Sequence, residues 1–272
     1  MTTEYTPRLW IPGQEHDLAD EYPTATQAEL TKKWQEYNPD ADIVDAPGVY
    51  GVMSMPHEAP RAYVSLDVCG VMRDTHLAIR SLIFANEERF NGNIHQYAAG
   101  TCLESAADIK NVLRVMMTKG LVNPVPGIEE ISDIIEEAAD MGAYVFANTS
   151  TLPGCELGTI DFFKQHIPVG LQGVAFPRNH DGTLPITKGH VMSNVIQKFP
   201  SASDHILAIK IDDSPHHNVA ARVEVGKLPN SEVITIMPEY PTHFEPDHGS
   251  IMTPTPLAAF QAMRKVLKDH LA

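Results

Sequence analysis

Short apolar runs of strand-forming residues recur along this chain, each halted by polar residues and separated from the next by a helical pattern. AYVSL (62–66), AYVFAN (143–148), a run near 173–176, ILAIKI (206–211) and SEVITIM (231–237) follow one another in this way. Strands joined through helices are parallel neighbours, so the alternation predicts an α/β, Rossmann-like parallel sheet with helices on both faces. The most regular helical passage, VPGIEEISDIIEEAADMG, places Ile128, Ile131, Ile134, Ile135 and Ala138 on one face, opposite Glu129, Glu130, Asp133, Glu136 and Glu137. Pro126-Gly127 opens it and Gly142 sits where a left-handed cap closes a helix.

In such a sheet the carboxyl ends of neighbouring strands converge on one edge, where open α/β folds bind ligands. Asp67, Thr149, Lys188 and Asp213 all follow strands or their connections and can share that crevice. Asp67 is the first candidate, because the run AYVSL stops at it and Gly70 then lets the chain turn away. A lone aspartate there also suits a simple turn, and Lys188 alone also suits a solvated surface.

The remaining segments organise around this core. Residues 75–121 carry two helical patterns, HLAIRSLIFANEERF and ESAADIKNVLRVMMTKG, with apolar positions Leu77, Ile79, Leu82, Ile83, Phe84, then Ile109, Val112, Leu113 and Met116; they read as a small helical cap insertion. Residues 61–74 and 122–272 form the core. Residues 1–60 hold both tryptophans, Trp10 and Trp34, several prolines and one helical piece for which Thr24 is a candidate cap; they read as an irregular N-terminal arm packed on the core.

Thirty-five acidic against twenty basic residues give a net charge of −15, which repels a polyanion and excludes long nucleic acid as a partner. A small phosphorylated substrate stays open, since a local cluster with a metal overcomes a global field. No apolar run is long enough to span a bilayer, and the first residues lack a secretory pattern, so the expectation is a cytoplasmic protein with no membrane partner. Cys69, Cys102 and Cys155 are too few and too scattered for a disulfide framework or a structural zinc site.

Four positions, in chain order, resemble the motifs of the haloacid dehalogenase-like (HAD) superfamily: Asp67-Val-Cys-Gly70 after a strand, Thr149 after AYVFAN, Lys188, and Asp212-Asp213 after ILAIKI. The resemblance covers about residues 62–237. It implies that Asp67 is a nucleophile forming a covalent aspartyl intermediate, with Lys188 and the Thr149 hydroxyl holding phosphoryl oxygens, and Asn148, Ser150 and Gly70 lining the substrate. It also implies Mg²⁺ held by Asp67, the Cys69 main-chain carbonyl and the acids Asp213 and Asp212. The expected activity is transfer of a phosphoryl or phosphonyl group from a small phosphorylated or phosphonate metabolite to water.

The pattern departs from the family at Cys69, which stands where its phosphatases carry an aspartate that protonates the leaving group. His216 or His217 is the reserve donor. Two branches without that aspartate are dehalogenases, which need no Mg²⁺, and phosphonoacetaldehyde hydrolases, whose motif four IKIDDSPHH resembles; a cap lysine, Lys110 or Lys119, would then form a Schiff base. A catalytically silent HAD-like domain that binds a ligand or a protein is a further alternative.

Overall fold

The computed structural model describes residues 22–84, 103–177, 186–239 and 247–271, with side chains described outside 80–110. Among these described residues, eight strands form one sheet. In chain order these are β1 (Ile43–Val44), β2 (Gly51–Ser54), β3 (Ala62–Leu66), β4 (Ala143–Asn148), β5 (Gly173–Ala175), β6 (Ile206–Ile211), β7 (Ser231–Pro238) and β8 (Ile251–Thr253). Their order in space is β1-β2-β5-β4-β3-β6-β7-β8, and β5 through β8 in that order are mutually parallel. The central strand is β3. The chain first builds outward from it through β4 and β5, then crosses to its other side with β6, so the direction of winding reverses at the end of β3, beside Asp67.

Among the described residues, the helices are α1 (Gln27–Tyr37), α2 (Thr75–Phe84), α3 (Leu103–Thr118), α4 (Ile128–Asp140), α5 (Glu156–His166), α6 (Lys188–Lys198), α7 (Pro215–Val225) and α8 (Pro256–Leu271). Two-residue alternation along β3, β4 and β6 divides the core. Val64, Leu66, Val145, Ala147, Ile209 and Ile211 pack one face against α1, α4, α5 and α8. Tyr63, Tyr144, Phe146 and Ala208 pack the other against α6 and α7. Burying each such side chain contributes roughly 1.5–3 kcal/mol, so the strands are held from both sides.

The amphipathic passage became α4, with its five apolar residues buried, Gly127 opening it at φ 82° and Gly142 following it at φ 86°. The segment read as an irregular arm contributes α1 and an antiparallel extension of the sheet, because β2 pairs with both β1 and β5. Trp34 is fully buried and donates from its indole nitrogen to Ser54 Oγ at 3.1 Å. The cap of α1 is Thr26, not Thr24: its hydroxyl accepts from the Glu29 amide while the Glu29 carboxylate accepts from the Thr26 amide. Trp10 lies outside the described residues.

Within 75–121, Leu113 and Met117 of α3 pack with Ala78 of α2 and Cys155. Leu77 and Val112, expected on the apolar face, are exposed instead. The side chains of Leu82, Ile83, Phe84 and Ile109 lie outside the described residues. Near the C-terminus, β8 and α8 were not anticipated; α8 covers α4 through Phe260, Met263 and Leu267.

Candidate active site

The period of two that sorts the core also builds the site. On the face of α6 and α7, β3 carries Tyr63 and Ser65 and continues to Asp67, while β6 carries Ala208 and Lys210 and continues to Asp212. Ser65 and Lys210 are register partners. The Asp67 amide donates to Ile211 O at 2.9 Å, which prolongs the ladder and places the two carboxylates side by side. Both are buried, Asp67 at 4% and Asp212 at 0% exposure.

Lys188 sits between them. Its Nζ lies 2.8 Å from Asp67 Oδ2 and 2.9 Å from Asp212 Oδ2. Its backbone position follows from the Thr187 cap, whose hydroxyl accepts from the His190 amide, and from Asn148 Nδ2, which donates to the Lys188 carbonyl at 2.9 Å. The next residue, Gly189, lets α6 approach α7 closely: a Cβ there would lie 2.2 Å from the Ala220 carbonyl oxygen.

Two residues that the sequence reading passed over complete the arrangement. Lys210, fully buried, brings Nζ to 2.9 Å from Asp212 Oδ2, without the alignment of a hydrogen bond. The signal was a single lysine in an otherwise apolar strand, two residues before an aspartate and hence on the same face. His76, in the first turn of α2, brings Nε2 to 2.6 Å from Asp213 Oδ2. It is placed there by the turn after Asp67, in which Asp74 Oδ1 caps α2 at the Leu77 amide. The turn also needs Gly70, at φ 81°, because a Cβ would lie 2.2 Å from Asp213 Oδ2 and 2.8 Å from His76 Nε2.

The charges divide unequally. Burial and the neighbouring Asp212 push the Asp67 carboxyl above its ordinary range, and Lys188 opposes them. Burial also works against the Asp212 charge, but Lys188, Lys210 and His217 outweigh it and hold that carboxyl well below its usual value. For Lys188 burial is overcome by Asp212 and Asp67, which keep the ammonium more basic than normal; for Lys210 burial prevails and lowers it. Asp212 is therefore the fixed anion of the group, and Asp67 is the more proton-accepting one.

Of the residues expected to share the crevice, Asp67 and Lys188 make direct contact, and the acid that joins them is Asp212 rather than Asp213. Thr149 follows β4, fully buried, and its Oγ1 lies 4.0 Å from Cys69 Sγ. Ser150 is the half-buried residue next to it. Asn148, expected to line substrate, is instead wholly buried, bridging Ser65 Oγ and the Lys188 carbonyl; its place at the last position of β4 turns it into the sheet-to-helix layer. The acids Asp212 and Asp213, expected to act together, face different partners, because successive residues leaving a strand point to opposite sides. Asp212 faces the lysines and Asp213 faces His76. Of the two histidines, His217 faces Asp212, Nδ1 to Oδ1 at 3.1 Å, and His216 is exposed. Lys119 is exposed after α3, and the Lys110 side chain lies outside the described residues.

Among the described residues, Asp67, Asp212 and His217 offer ligand atoms that all lie within 4.8 Å of one another. Two ligands at about 2.1 Å on adjacent octahedral positions stand about 3 Å apart, close to the Asp212–His217 spacing, so the group fits a dication. The described residues contain no helix long and apolar enough to cross a membrane.

No family model and no curated protein matches the chain. Among solved structures, it is similar to a haloacid dehalogenase-like family hydrolase from Streptococcus pneumoniae, with a TM-score of 0.51, 16% identity, and 74% of this chain and 98% of that chain covered. It is also similar to a Thermotoga maritima protein described as a beta-phosphoglucomutase, with a TM-score of 0.50, 14% identity, and 75% and 99% covered. At such identities the likeness speaks for the fold. With β3 central, winding reversed at Asp67 and helices on both faces, this chain has the haloacid dehalogenase-like fold.

Proposed function

We propose that the chain is a hydrolase that transfers the phosphoryl group of a small phosphorylated metabolite to water through an aspartyl intermediate on Asp67. The observation that carries this reading is the buried quartet of Asp67, Asp212, Lys188 and Lys210, in which two carboxylates meet two ammonium groups. Its formal charges cancel. A phosphate dianion is therefore costly to bring in alone and becomes neutral in company with a dication.

Asp67 forms the bond to phosphorus as the bond to the leaving oxygen breaks, and an alkoxide leaving group takes its proton from solvent. Water then attacks phosphorus as the bond between phosphorus and Asp67 breaks, its proton returns to solvent, and inorganic phosphate and the free carboxylate remain. Lys188, anchored through Asn148 and Asp212, holds Asp67 in place and offsets charge on the transferred oxygens. The Thr149 hydroxyl supports the same oxygens. Asp67, Asp212 and His217, with the Cys69 carbonyl, would hold a divalent cation such as Mg²⁺, which when bound neutralises phosphoryl charge and favours the ionised form of Asp67. The site belongs to a small metabolite rather than a polyanion, given the net charge of −15.

Turnover of an aryl phosphate with and without added Mg²⁺, in wild type and Asp67→Asn, tests the reading. The expected result is cation-dependent release of phosphate in wild type and none in the variant. Equal turnover in the two proteins would remove Asp67 from the chemistry.

A further inference from the structure

The ligand set at Asp67 includes an imidazole, and its position is not accidental to the loop that carries it. Between β6 and α7 the chain wraps around Asp212. The Ser214 amide donates to Asp212 Oδ1 at 3.0 Å, and Asn218 Nδ2, fully buried, donates to the Asp212 carbonyl at 3.0 Å. These bonds set the first turn of α7, and with it the His217 ring, whose Nδ1 points at the same Oδ1. The other oxygen, Oδ2, is engaged by Lys188 and Lys210. Oδ1, which accepts from the Ser214 amide and faces the ring, is the oxygen of Asp212 that no ammonium holds, and a cation bound there meets the His217 nitrogen as a neighbouring ligand.

Mg²⁺ prefers an all-oxygen shell completed by water, whereas imidazole nitrogen suits later first-row dications such as Fe²⁺, Co²⁺, Ni²⁺ and Zn²⁺. The spacing of 3.1 Å between Nδ1 and Oδ1 matches adjacent ligands on one such ion. From this we infer that the site selects an imidazole-accepting first-row transition dication over Mg²⁺, with His217 as a direct ligand beside Asp67 and Asp212. The inference rests on the reading of Asp67 as part of a cation-dependent site. It adds a specificity that three carboxylates would not confer, because carboxylates accept Mg²⁺ as readily as its competitors in geometry.

Binding rather than turnover tests it. Co²⁺ and Mg²⁺ are titrated calorimetrically into the full chain, and the visible absorption of bound Co²⁺ is recorded for wild type, His217→Gln, His217→Ala and Asp67→Asn. Glutamine can still donate to Asp212 Oδ1, so it preserves a merely orienting contact while removing the imidazole ligand. The expected result is one Co²⁺ site per chain, tighter than Mg²⁺, whose affinity falls at least about tenfold in both His217 variants while Mg²⁺ affinity is nearly unchanged, with an altered Co²⁺ spectrum. Co²⁺ affinity and spectrum equal to wild type in His217→Gln would overturn the inference and leave His217 as an orienting residue. So would Mg²⁺ binding as tight as Co²⁺ in wild type. If Asp67→Asn leaves that Co²⁺ site intact, the underlying reading of the site fails as well, which separates the two failures.

Discussion

Replacing Cys69 by aspartate addresses the position at which this site departs most from the resemblance that suggested it. Cys69 follows the nucleophile by two residues, and its Sγ lies 4.0 Å from Thr149 Oγ1. Burial pushes its thiol above the ordinary value, Asp67 adds to that, and Arg73 opposes it. The thiol thus stays protonated at neutral pH but gives up its proton reluctantly, so it serves poorly as a donor to a leaving alkoxide. A positioned general acid contributes about 10²–10⁴ in rate, equivalent to about 2.7–5.4 kcal/mol. An aryl phosphate, whose leaving group departs as a stable anion, needs little of this. The assay is kcat/KM for one aryl and one alkyl phosphate in wild type and Cys69→Asp. The alkyl substrate is expected to gain up to that factor and the aryl substrate to change little. The introduced carboxylate joins Asp67, Asp212 and Asp213, with Arg73 as a nearby cation, so a lowered Tm accompanies the gain. Refutation comes from a wild type that already cleaves the alkyl ester as fast as the variant. His76, on the same turn and bonded to Asp213, is then the donor to examine, and His76→Gln should slow the alkyl substrate selectively.

Lys188→Met leaves two buried carboxylates with Lys210 alone, so urea unfolding should show a loss of roughly 3–5 kcal/mol, partly recovered in the double variant with Asp67→Asn; full additivity would argue against the contact. Gly189→Ala drives a Cβ into the Ala220 carbonyl and forces α6 from α7, which should cost roughly 1–3 kcal/mol and, by moving the adjacent Lys188, reduce kcat; unchanged Tm and kcat would show that the helices yield freely. Asp247 hydrogen-bonds Arg222 through both oxygens, which holds its carboxyl down to about 2. Its contribution is complete above the ordinary carboxylate range near pH 4 and is lost as pH falls towards 2, so Asp247→Asn should flatten the stability profile over that interval and leave its shape at higher pH unchanged.

The sequence alone determined the layers and the chemistry of the strand ends. Five apolar runs separated by helical patterns dictate parallel strands, since only a helix-length connection can return the chain to the same edge, and the face of α4 is readable because its 3.6-residue period is unbroken from Ile128 to Ala138. Asp67, Thr149 and Asp212-Asp213 are legible because each directly follows such a run. What periodicity cannot report is which strands become neighbours. Placing β6 beside β3 rather than beyond β5 is a tertiary choice, and it alone brings Lys210 and Asp212 to Asp67. The same choice assigns partners to the paired acids, committing Asp212 to two lysines and His217 while turning Asp213 to His76, a residue 137 positions away in sequence. The strands of the N-terminal segment were hidden for a related reason. β1 and β2 are two and four residues long, too short to show a period, and become strands only because β5 offers an unpaired edge.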